Sequence, residues 1–308
     1  MVALSDAMRE VLSLAERVAS RDANVLITGE SGAGKDALAQ FIHSHSLRAS
    51  EVLVKIDCAA LPNELLEAEL FGYERGAFTG ATEARPGRLE AAHKGTLVLD
   101  EVAHLSVDAQ AKLLRVIEER EFERLGGRRV IKVEARLIAL TNVDLISAVK
   151  RRAFREDLFY RLNVVRLHVP PLRERREDVE KLARSFVKAY ARKHGLNVTG
   201  IAPEALAILK AYSWPGNVRE LANTIERAVI VAGDSKIQSA DLPEPVRAAV
   251  ELQKRAKTRR TLAEVEADHI RETLEAAGGN KTEAARLLGI SRKNLYEKLA
   301  RYEKGDRG

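Results

Sequence analysis

The stretch Gly29-Glu30-Ser31-Gly32-Ala33-Gly34-Lys35-Asp36 decides how the chain is read. Before it, the apolar run Val25-Leu26-Ile27-Thr28 has the character of a buried strand. After it, Ala37-Leu38-Ala39-Gln40-Phe41-Ile42 has that of a helix. Strand, glycine-rich turn and helix together make a phosphate cradle. The glycines let the backbone curl its N–H groups towards an anion. The helix N-terminus adds a partial positive charge and Lys35 a full one. The spacing G-x-x-x-x-G-K is met, with Asp36 where Ser or Thr usually helps hold Mg2+. A plain glycine-rich turn with a surface lysine is the alternative, and it loses ground to a matching acidic strand downstream.

That strand is Gly95-Thr96-Leu97-Val98-Leu99-Asp100-Glu101. Its apolar centre suits the middle of a sheet, and its two carboxylates fall at the carboxyl edge, where open α/β sheets bind ligands. In phosphate-loop ATPases the first acid supports Mg2+, here Asp100 acting through water, and the second, Glu101, polarises the attacking water. Val52 to Asp57, Arg136 to Asn142 and Val164 to Val169 read as further strands. Asn142 is expected beside the end of the strand bearing Asp100, placed to hold a water or a γ-phosphate. Arg155 and Arg161, in Phe154-Arg155-Glu156-Asp157-Leu158-Phe159-Tyr160-Arg161, have the planar fork that fits a phosphate, although surface ion pairing would explain either. Helices are expected at Met1 to Ser20, Leu61 to Phe71 and Gln110 to Glu121, with a hairpin turn at Gly126-Gly127. Strands alternating with helices imply a parallel sheet covered on both faces.

Gly76-Ala77-Phe78-Thr79-Gly80-Ala81 is a glycine-bounded loop carrying one aromatic residue. Phe78 could tuck into the core, but it has no periodic apolar neighbours, so an exposed tip that touches a partner is expected. From Glu177 the strands stop. Asp178 to His194, Pro203 to Tyr212 and Asn217 to Val231 read as a small helical lid, with Asn217 and Glu220 as a capping box. Arg219 then points away from the apolar set Val218, Leu221 and Ile225. Val246 to Arg260 is charged and thinly apolar, a linker with helical character. Leu262 to Ala277, Asn280 to Leu288 and a Ser291-capped helix to about Tyr302 form a helix-turn-helix pattern. In the last of these Leu295 and Leu299 face inward, and Arg292, Lys293, Asn294, Tyr296 and Lys298 are expected at the DNA. Charge agrees: of the net +6, about +5 falls from Val246 onward, where 15 Lys/Arg face 10 Asp/Glu. With 308 residues, 45% of them hydrophobic, the chain can build more than one domain. Cys58 is the only cysteine, which excludes an intrachain disulfide. No run is long and apolar enough for a signal peptide or a membrane span.

Together these motifs resemble the bacterial enhancer-binding proteins that activate sigma-54 RNA polymerase, which belong to the AAA+ ATPases. The phosphate loop, GAFTGA at 76–81, GTLVLDE at 95–101, FREDLFYRLNVV at 154–165, PPLRERREDV at 170–179 and WPGNVREL at 214–221 all fit, and the end resembles the Fis-type DNA-binding domain. The resemblance implies an AAA+ parallel sheet sandwiched by helices at 1–173, an all-α lid at 174–243, a linker at 244–260 and a helix-turn-helix domain at 261–308. It implies ATP and Mg2+ as cofactors. By position, Lys35 matches the Walker A lysine, Asp100 and Glu101 the Walker B pair, and Asn142 the first sensor. Arg155 and Arg161 match the arginines that reach a neighbour's nucleotide, Arg219 the second sensor, and Phe78 and Thr79 the loop tip that touches sigma-54.

The implied activity is ATP-driven remodelling of the sigma-54 RNA polymerase closed complex to an open complex. The protein would be bound to upstream double-stranded enhancer DNA, as a homo-oligomer ranging from a dimer to a hexameric ring, in the bacterial cytoplasm and away from membranes. Asp36 agrees with the acidic residue that this family commonly carries there. Asp57 departs from the family's usual Asn, which hydrogen-bonds the catalytic glutamate. Family members often carry an N-terminal regulatory domain, whereas here the phosphate loop comes almost at once, leaving a regulator-free member or a fragment as the expectation. Two rival readings are a DNA-binding repressor with a vestigial ATPase body and an AAA+ remodeller of another client. Intact Lys35, Asp100 and Glu101 count against the first, and GAFTGA against the second.

Overall fold

The computed structural model of the chain describes residues 2–258 and 262–305. Of the expected elements, residue 1 of the first helix, 259–260 of the linker, and 261 and 306–308 of the last domain lie outside the described residues. The chain divides into two compact units, Met1–Val246 and Arg247–Gly308.

The first unit opens with α1 (Asp6–Ala19), shorter than the expected helix because Ser5 caps it by accepting the Met8 N–H. Then follow β1 (Val25–Thr28), α2 (Lys35–Ser44), β2 (Leu53–Asp57) and α3 (Asn63–Phe71). A two-residue hairpin comes next, β3 (Gly72–Tyr73) and β4 (Arg85–Pro86), before α4 (Arg88–Ala92) and β5 (Thr96–Asp100). Helix α5 (Val107–Glu119) starts three residues before the expected Gln110, because the Ser106 hydroxyl accepts the Ala109 N–H at 3.0 Å. A second hairpin, β6 (Glu121–Glu123) and β7 (Val130–Lys132), precedes β8 (Arg136–Thr141), α6 (Leu145–Lys150), α7 (Glu156–Leu162) and β9 (Val165–His168).

Five of these strands form one parallel sheet in the order β2-β5-β8-β1-β9. The central strands β1 and β8 are buried along their whole length, and β5 up to Leu99, as their near-continuous apolar sequences require. Edge strands β2 and β9 alternate instead, so Lys55 and Arg166 reach solvent while Ile56 and Leu167 pack inward. One face of the sheet is filled from α3, α5, α6 and α7, the other from α1 and α2. Asp57 pairs in register with Asp100, and Thr28 with Thr141. The ends of β1, β2, β5 and β8 therefore line up along one carboxyl edge.

The strands give way to α8 (Glu177–His194), α9 (Pro203–Ala211) and α10 (Asn217–Ala232), which pack around the fully buried Trp214. Its indole N–H donates to the Leu209 carbonyl at 2.8 Å. Then comes α11 (Glu244–Thr258), so the expected linker is helical where it is described.

The second unit holds α12 (Leu262–Ala276), α13 (Lys281–Leu287) and α14 (Arg292–Gly305) around Ile270, Ala284, Ala285 and Leu295. Asn280 caps α13 by accepting from Thr282 and Glu283, but the reciprocal half of the expected capping box is not made: the Glu283 carboxylate pairs with Arg286. Ser291 accepts the Asn294 N–H and starts α14. Arg292, Lys293, Asn294 and Tyr296 are exposed, with the Lys281 ammonium 4.9 Å above the Tyr296 ring. Lys298 departs from the outward placement expected of it. Its ammonium turns back onto Glu266 of α12 at 2.8 Å.

Candidate active site

The loop from Gly29 to Gly34 leaves β1 and enters α2 by a path that only glycine takes easily. Gly29, Gly32 and Gly34 have φ of 150°, 73° and 107°. A side chain at Gly29 would strike the Val169 carbonyl, and one at Gly32 the Gly216 carbonyl of the lid. Lys35, the first residue of α2, is nearly buried. Its ammonium folds back onto the carbonyls of Gly29 (2.9 Å) and Glu30 (3.3 Å) and lies 3.8 Å from Glu101 Oε1.

Glu101 follows the end of β5 in a left-handed conformation, φ 50° and ψ 49°, which costs a residue with a Cβ on the order of 1 kcal/mol or more. What holds it there is local. Asp100 Oδ1 accepts the Glu101 N–H at 3.0 Å, and the backbone N–H of Asn142 donates to Glu101 Oε2 at 3.2 Å. Asn142 thus reaches the strand bearing Asp100, as expected, and contacts the glutamate through its main chain. Asp57 Oδ1 accepts the Ala59 N–H at 2.9 Å. Cys58, next to it, is buried, and burial pushes its thiol up to about 12, so it offers no thiolate nucleophile.

The lid closes the site from above. Val218 donates its N–H to the Gly32 carbonyl at 3.0 Å, and Arg219 Nη1 donates to Ser31 Oγ at 3.0 Å. Asn217 is not the helix cap expected of it. Glu220 takes the Gly216 N–H, while the buried Asn217 side chain accepts the Leu172 N–H (2.8 Å) and donates to Glu30 Oε2 (3.0 Å) and to the Ser31 carbonyl (3.1 Å). Its positive φ of 54° turns it inward, a conformation Asn tolerates better than most residues. Arg173 clamps Glu30 from the other side with two bonds, 2.6 and 2.8 Å. The Arg173 guanidinium, and then the Asn217 amide, hold the Glu30 carboxyl down to about 2. This contribution to stability is therefore complete above the ordinary carboxylate value and is lost as pH falls towards 2. The buried Arg175 adds a bond to the Ala33 carbonyl.

None of these loop-to-lid ties beyond Arg219 was evident from motif spacing. Asn217 is expected to be the costliest to lose. Asn217→Ala leaves the Leu172 N–H buried without an acceptor and should lower folding stability by about 1–3 kcal/mol, read as the thermal midpoint of the whole chain. Glu220→Ala, which frees the exposed Gly216 N–H and the part-buried Tyr212 hydroxyl, should cost less. Equal midpoints for Asn217→Ala and the native chain would move the lid's attachment elsewhere.

Two adjoining hollows result. One of about 200 Å³ is lined by Gly32, Gly34, Lys35, Asp36, Asp100 and Glu101, with Val218 and Arg219 from the lid. The other, about 730 Å³, runs from Glu30, Ser31 and Asn142 to Gly216 and Thr224. The donor set suits Mg2+: the Asp36 and Asp100 carboxylates both reach one cation, the Lys55 ammonium, at 2.5 and 2.7 Å. Oxygen ligands that converge on one positive charge, beside a loop built for phosphates, are what Mg2+ binding requires. Arg155 and Arg161 line neither hollow. Arg155 pairs with Asp157 at 2.7 Å, and Arg161 with Glu118 at 2.9 Å.

The Gly76–Ala81 loop is the tip of the β3–β4 hairpin, held by its stem. Glu74 donates its N–H to the Leu125 carbonyl, and Arg124 joins Glu74 to Glu90. Phe78 is 41% exposed but has a partner after all: its ring packs edge-on against Tyr73, centroids 5.0 Å apart. Ala81 is buried and Thr79 exposed.

Residues 1–168 match the Sigma-54 interaction domain, 173–259 the AAA+ ATPase lid domain and 261–302 the Bacterial regulatory protein, Fis family. The chain belongs to the sigma-54-dependent transcriptional activators. It is 49% identical to the regulatory protein AtoC of Escherichia coli over 97% of its own length and 66% of that protein's. It is 46% identical to the transcriptional regulatory protein FlbD of Caulobacter vibrioides, covering 98% of the chain and 70% of FlbD. The chain thus spans about two thirds of the length of these relatives. Among solved structures it resembles NtrX from Brucella abortus in complex with ADP, with a TM-score of 0.75 and 36% identity over 97% of this chain and 69% of that one. NtrX has also been solved with ATP, at a TM-score of 0.73 and 37% identity over 97% of this chain and 68% of that one. The expected AAA+ sheet, lid and helix-turn-helix are therefore present. Among the described residues no helix is long and apolar enough to cross a membrane.

Proposed function

We propose that the chain hydrolyses ATP and uses the turnover to remodel the sigma-54 RNA polymerase closed complex into an open complex. The observation that carries this reading is the meeting of Lys35, Asp100, Glu101 and Asn142 with Arg219 of the lid around one glycine-built loop. In this reading ATP lies along Gly29–Asp36, and the Lys35 ammonium leaves the Gly29 and Glu30 carbonyls for the β- and γ-phosphate oxygens. Asp100, through water, and Asp36 would hold Mg2+, which would supply positive charge against the phosphates. Glu101 accepts a proton from a water aligned with the γ-phosphorus. The new P–O bond forms as the bond to the β,γ-bridging oxygen breaks, giving phosphate and ADP. The Asn142 N–H keeps the Glu101 carboxylate aimed. Arg219, tethered to Ser31, carries the state of the nucleotide to the lid.

Arg155 and Arg161 serve a neighbouring subunit's γ-phosphate in this reading, so activity requires a ring. The dimer-to-hexamer assembly, the upstream DNA contact through Arg292, Lys293, Asn294 and Tyr296, and a cytoplasmic setting belong to the same proposal. Lys298 would have to release Glu266 to reach a phosphate. The loop Gly76–Ala81 meets sigma-54. The same proposal divides the chain into a 1–173 ATPase core, a lid at 174–243, a linker at 244–260 and a DNA-binding end at 261–308.

The test is ATPase rate against protein concentration, with and without sigma-54. A rate per subunit that rises with concentration and responds to sigma-54 is expected. A flat, unresponsive rate favours a client other than sigma-54, and no rate at all favours the repressor with a vestigial body. A mixing experiment isolates the trans arginine. Arg161→Ala should lower hydrolysis while keeping nucleotide affinity, and adding Lys35→Ala protein should restore part of the rate. Each mutant supplies the half-site the other lacks. Mixtures that never exceed the sum of their parts would remove Arg161 from the neighbour's site.

A further inference from the structure

Lys55 stands where three elements bring charge together. It projects from edge strand β2 on the face opposite the buried Ile56. Its Nζ lies 2.7 Å from Asp100 Oδ2 at the end of β5 and 2.5 Å from Asp36 Oδ1 in the first turn of α2. This is no local bridge between neighbours on one helix. A strand lysine reaches two carboxylates contributed separately by the phosphate loop's helix and by the acidic strand. Burial pulls the Lys55 amine down, but its hydrogen bonds to Asp100 and Asp36 outweigh that and hold it above its ordinary value, so it remains a cation.

The electrostatic need for such a cation follows from Asp36. A hydroxyl at this position would add no charge, whereas Asp36 places a second carboxylate beside Asp100. Two carboxylates converging on one point repel unless a cation lies between them. Mg2+ binds through one or two carboxylates plus substrate phosphates and gives up its waters reluctantly. The ammonium and the divalent ion therefore compete for the same oxygens. Lys suits the task because its charge is compact and rides on a flexible stem that can swing away, which the planar, bidentate Arg fork does less readily.

We propose that Lys55 is a built-in competitor of Mg2+ for Asp100. Its ammonium joins Asp36 to Asp100 until a Mg2+–nucleotide enters, and then withdraws from both carboxylates. The phosphates tip the exchange, so free Mg2+ gains little by binding alone and the metal enters with its nucleotide. The inference rests on the nucleotide-site reading above.

The test uses the whole chain as wild type, Lys55→Gln and Lys55→Arg, with Lys55→Met as a second neutral variant should Lys55→Gln fail to fold. The first measurement is the thermal midpoint against MgCl2 without nucleotide. The wild type should respond weakly. Lys55→Gln should start lower and recover as MgCl2 rises, and Lys55→Arg should follow the wild type. The second is ADP affinity by titration calorimetry across MgCl2 concentrations. The MgCl2 giving half-maximal tightening should fall roughly three- to tenfold in Lys55→Gln, since a partly exposed ion pair is the competitor removed. Parallel MgCl2 curves for wild type and Lys55→Gln would overturn the proposal, as would Lys55→Arg behaving like Lys55→Gln. A wild type that binds no ADP at any MgCl2 concentration would count against the nucleotide site itself, and the nucleotide-free midpoints would still decide the role of Lys55.

Discussion

Glu101→Gln is expected to bind ATP about as well as the native chain and to hydrolyse it ~10²–10⁴-fold more slowly, the usual worth of a general base. The substitution is close to isosteric, and the contacts around it allow the shape to survive. The Asn142 N–H that donates to Glu101 Oε2 at 3.2 Å can donate equally to an amide oxygen. Lys35 keeps its bonds to the Gly29 and Glu30 carbonyls. What disappears is the negative charge that takes the proton from water. The backbone strain at position 101, φ 50°, is unchanged by the swap, so a stability difference would come from losing the carboxylate 3.8 Å from the Lys35 ammonium. Single-turnover hydrolysis beside equilibrium ATP binding separates the two effects. A turnover within a few-fold of native would take Glu101 out of the general-base role. A loss of binding equal to the loss of rate would mean that the residue shapes the pocket and does no proton chemistry.

Much of this site was legible because its chemistry is local in sequence. A glycine loop between a strand and a helix, and an apolar strand ending in two acids, each declare themselves within eight residues. The strand register then carries them together: Asp57 meets Asp100, and β8 brings Asn142 alongside. The contacts that sequence spacing concealed join residues far apart in the chain, and they depend on how the lid folds down. Asn217 looked like a helix cap because Asn followed by Glu three residues later is a capping pattern. The positive φ at 217 turned its side chain onto Glu30, 187 positions away. Lys55 and Arg173 draw no attention in the sequence for the same reason, since their partners lie in other elements. Lys298 erred in the opposite direction. Helical periodicity put it on the outer face, but a long side chain can turn back, and Glu266 draws it in.

Thr79→Ala should leave ATP hydrolysis and DNA binding close to native and reduce transcription from sigma-54 promoters at least roughly 30-fold, as removal of a central anchor worth ~2 kcal/mol or more would do. The fold around the loop gives this prediction its force. The loop is closed by main-chain bonds, the Gly76 N–H to the Ala81 carbonyl at 2.8 Å and the Ala81 N–H to the Phe78 carbonyl at 3.0 Å. The Thr79 side chain takes part in neither, so its loss should not unravel the tip. Phe78→Ala is the less clean probe, because its ring also packs on Tyr73, and its loss would loosen the hairpin as well as remove an anchor. Comparing the two separates contact from scaffold. A client contact predicts that both variants fail in open-complex formation at matched ATPase rates. A purely structural turn predicts that Thr79→Ala is silent and that Phe78→Ala loses activity only in step with its thermal midpoint. Normal open-complex yield from both variants at matched ATPase rates would mean that the Gly76–Ala81 loop is not the sigma-54 contact.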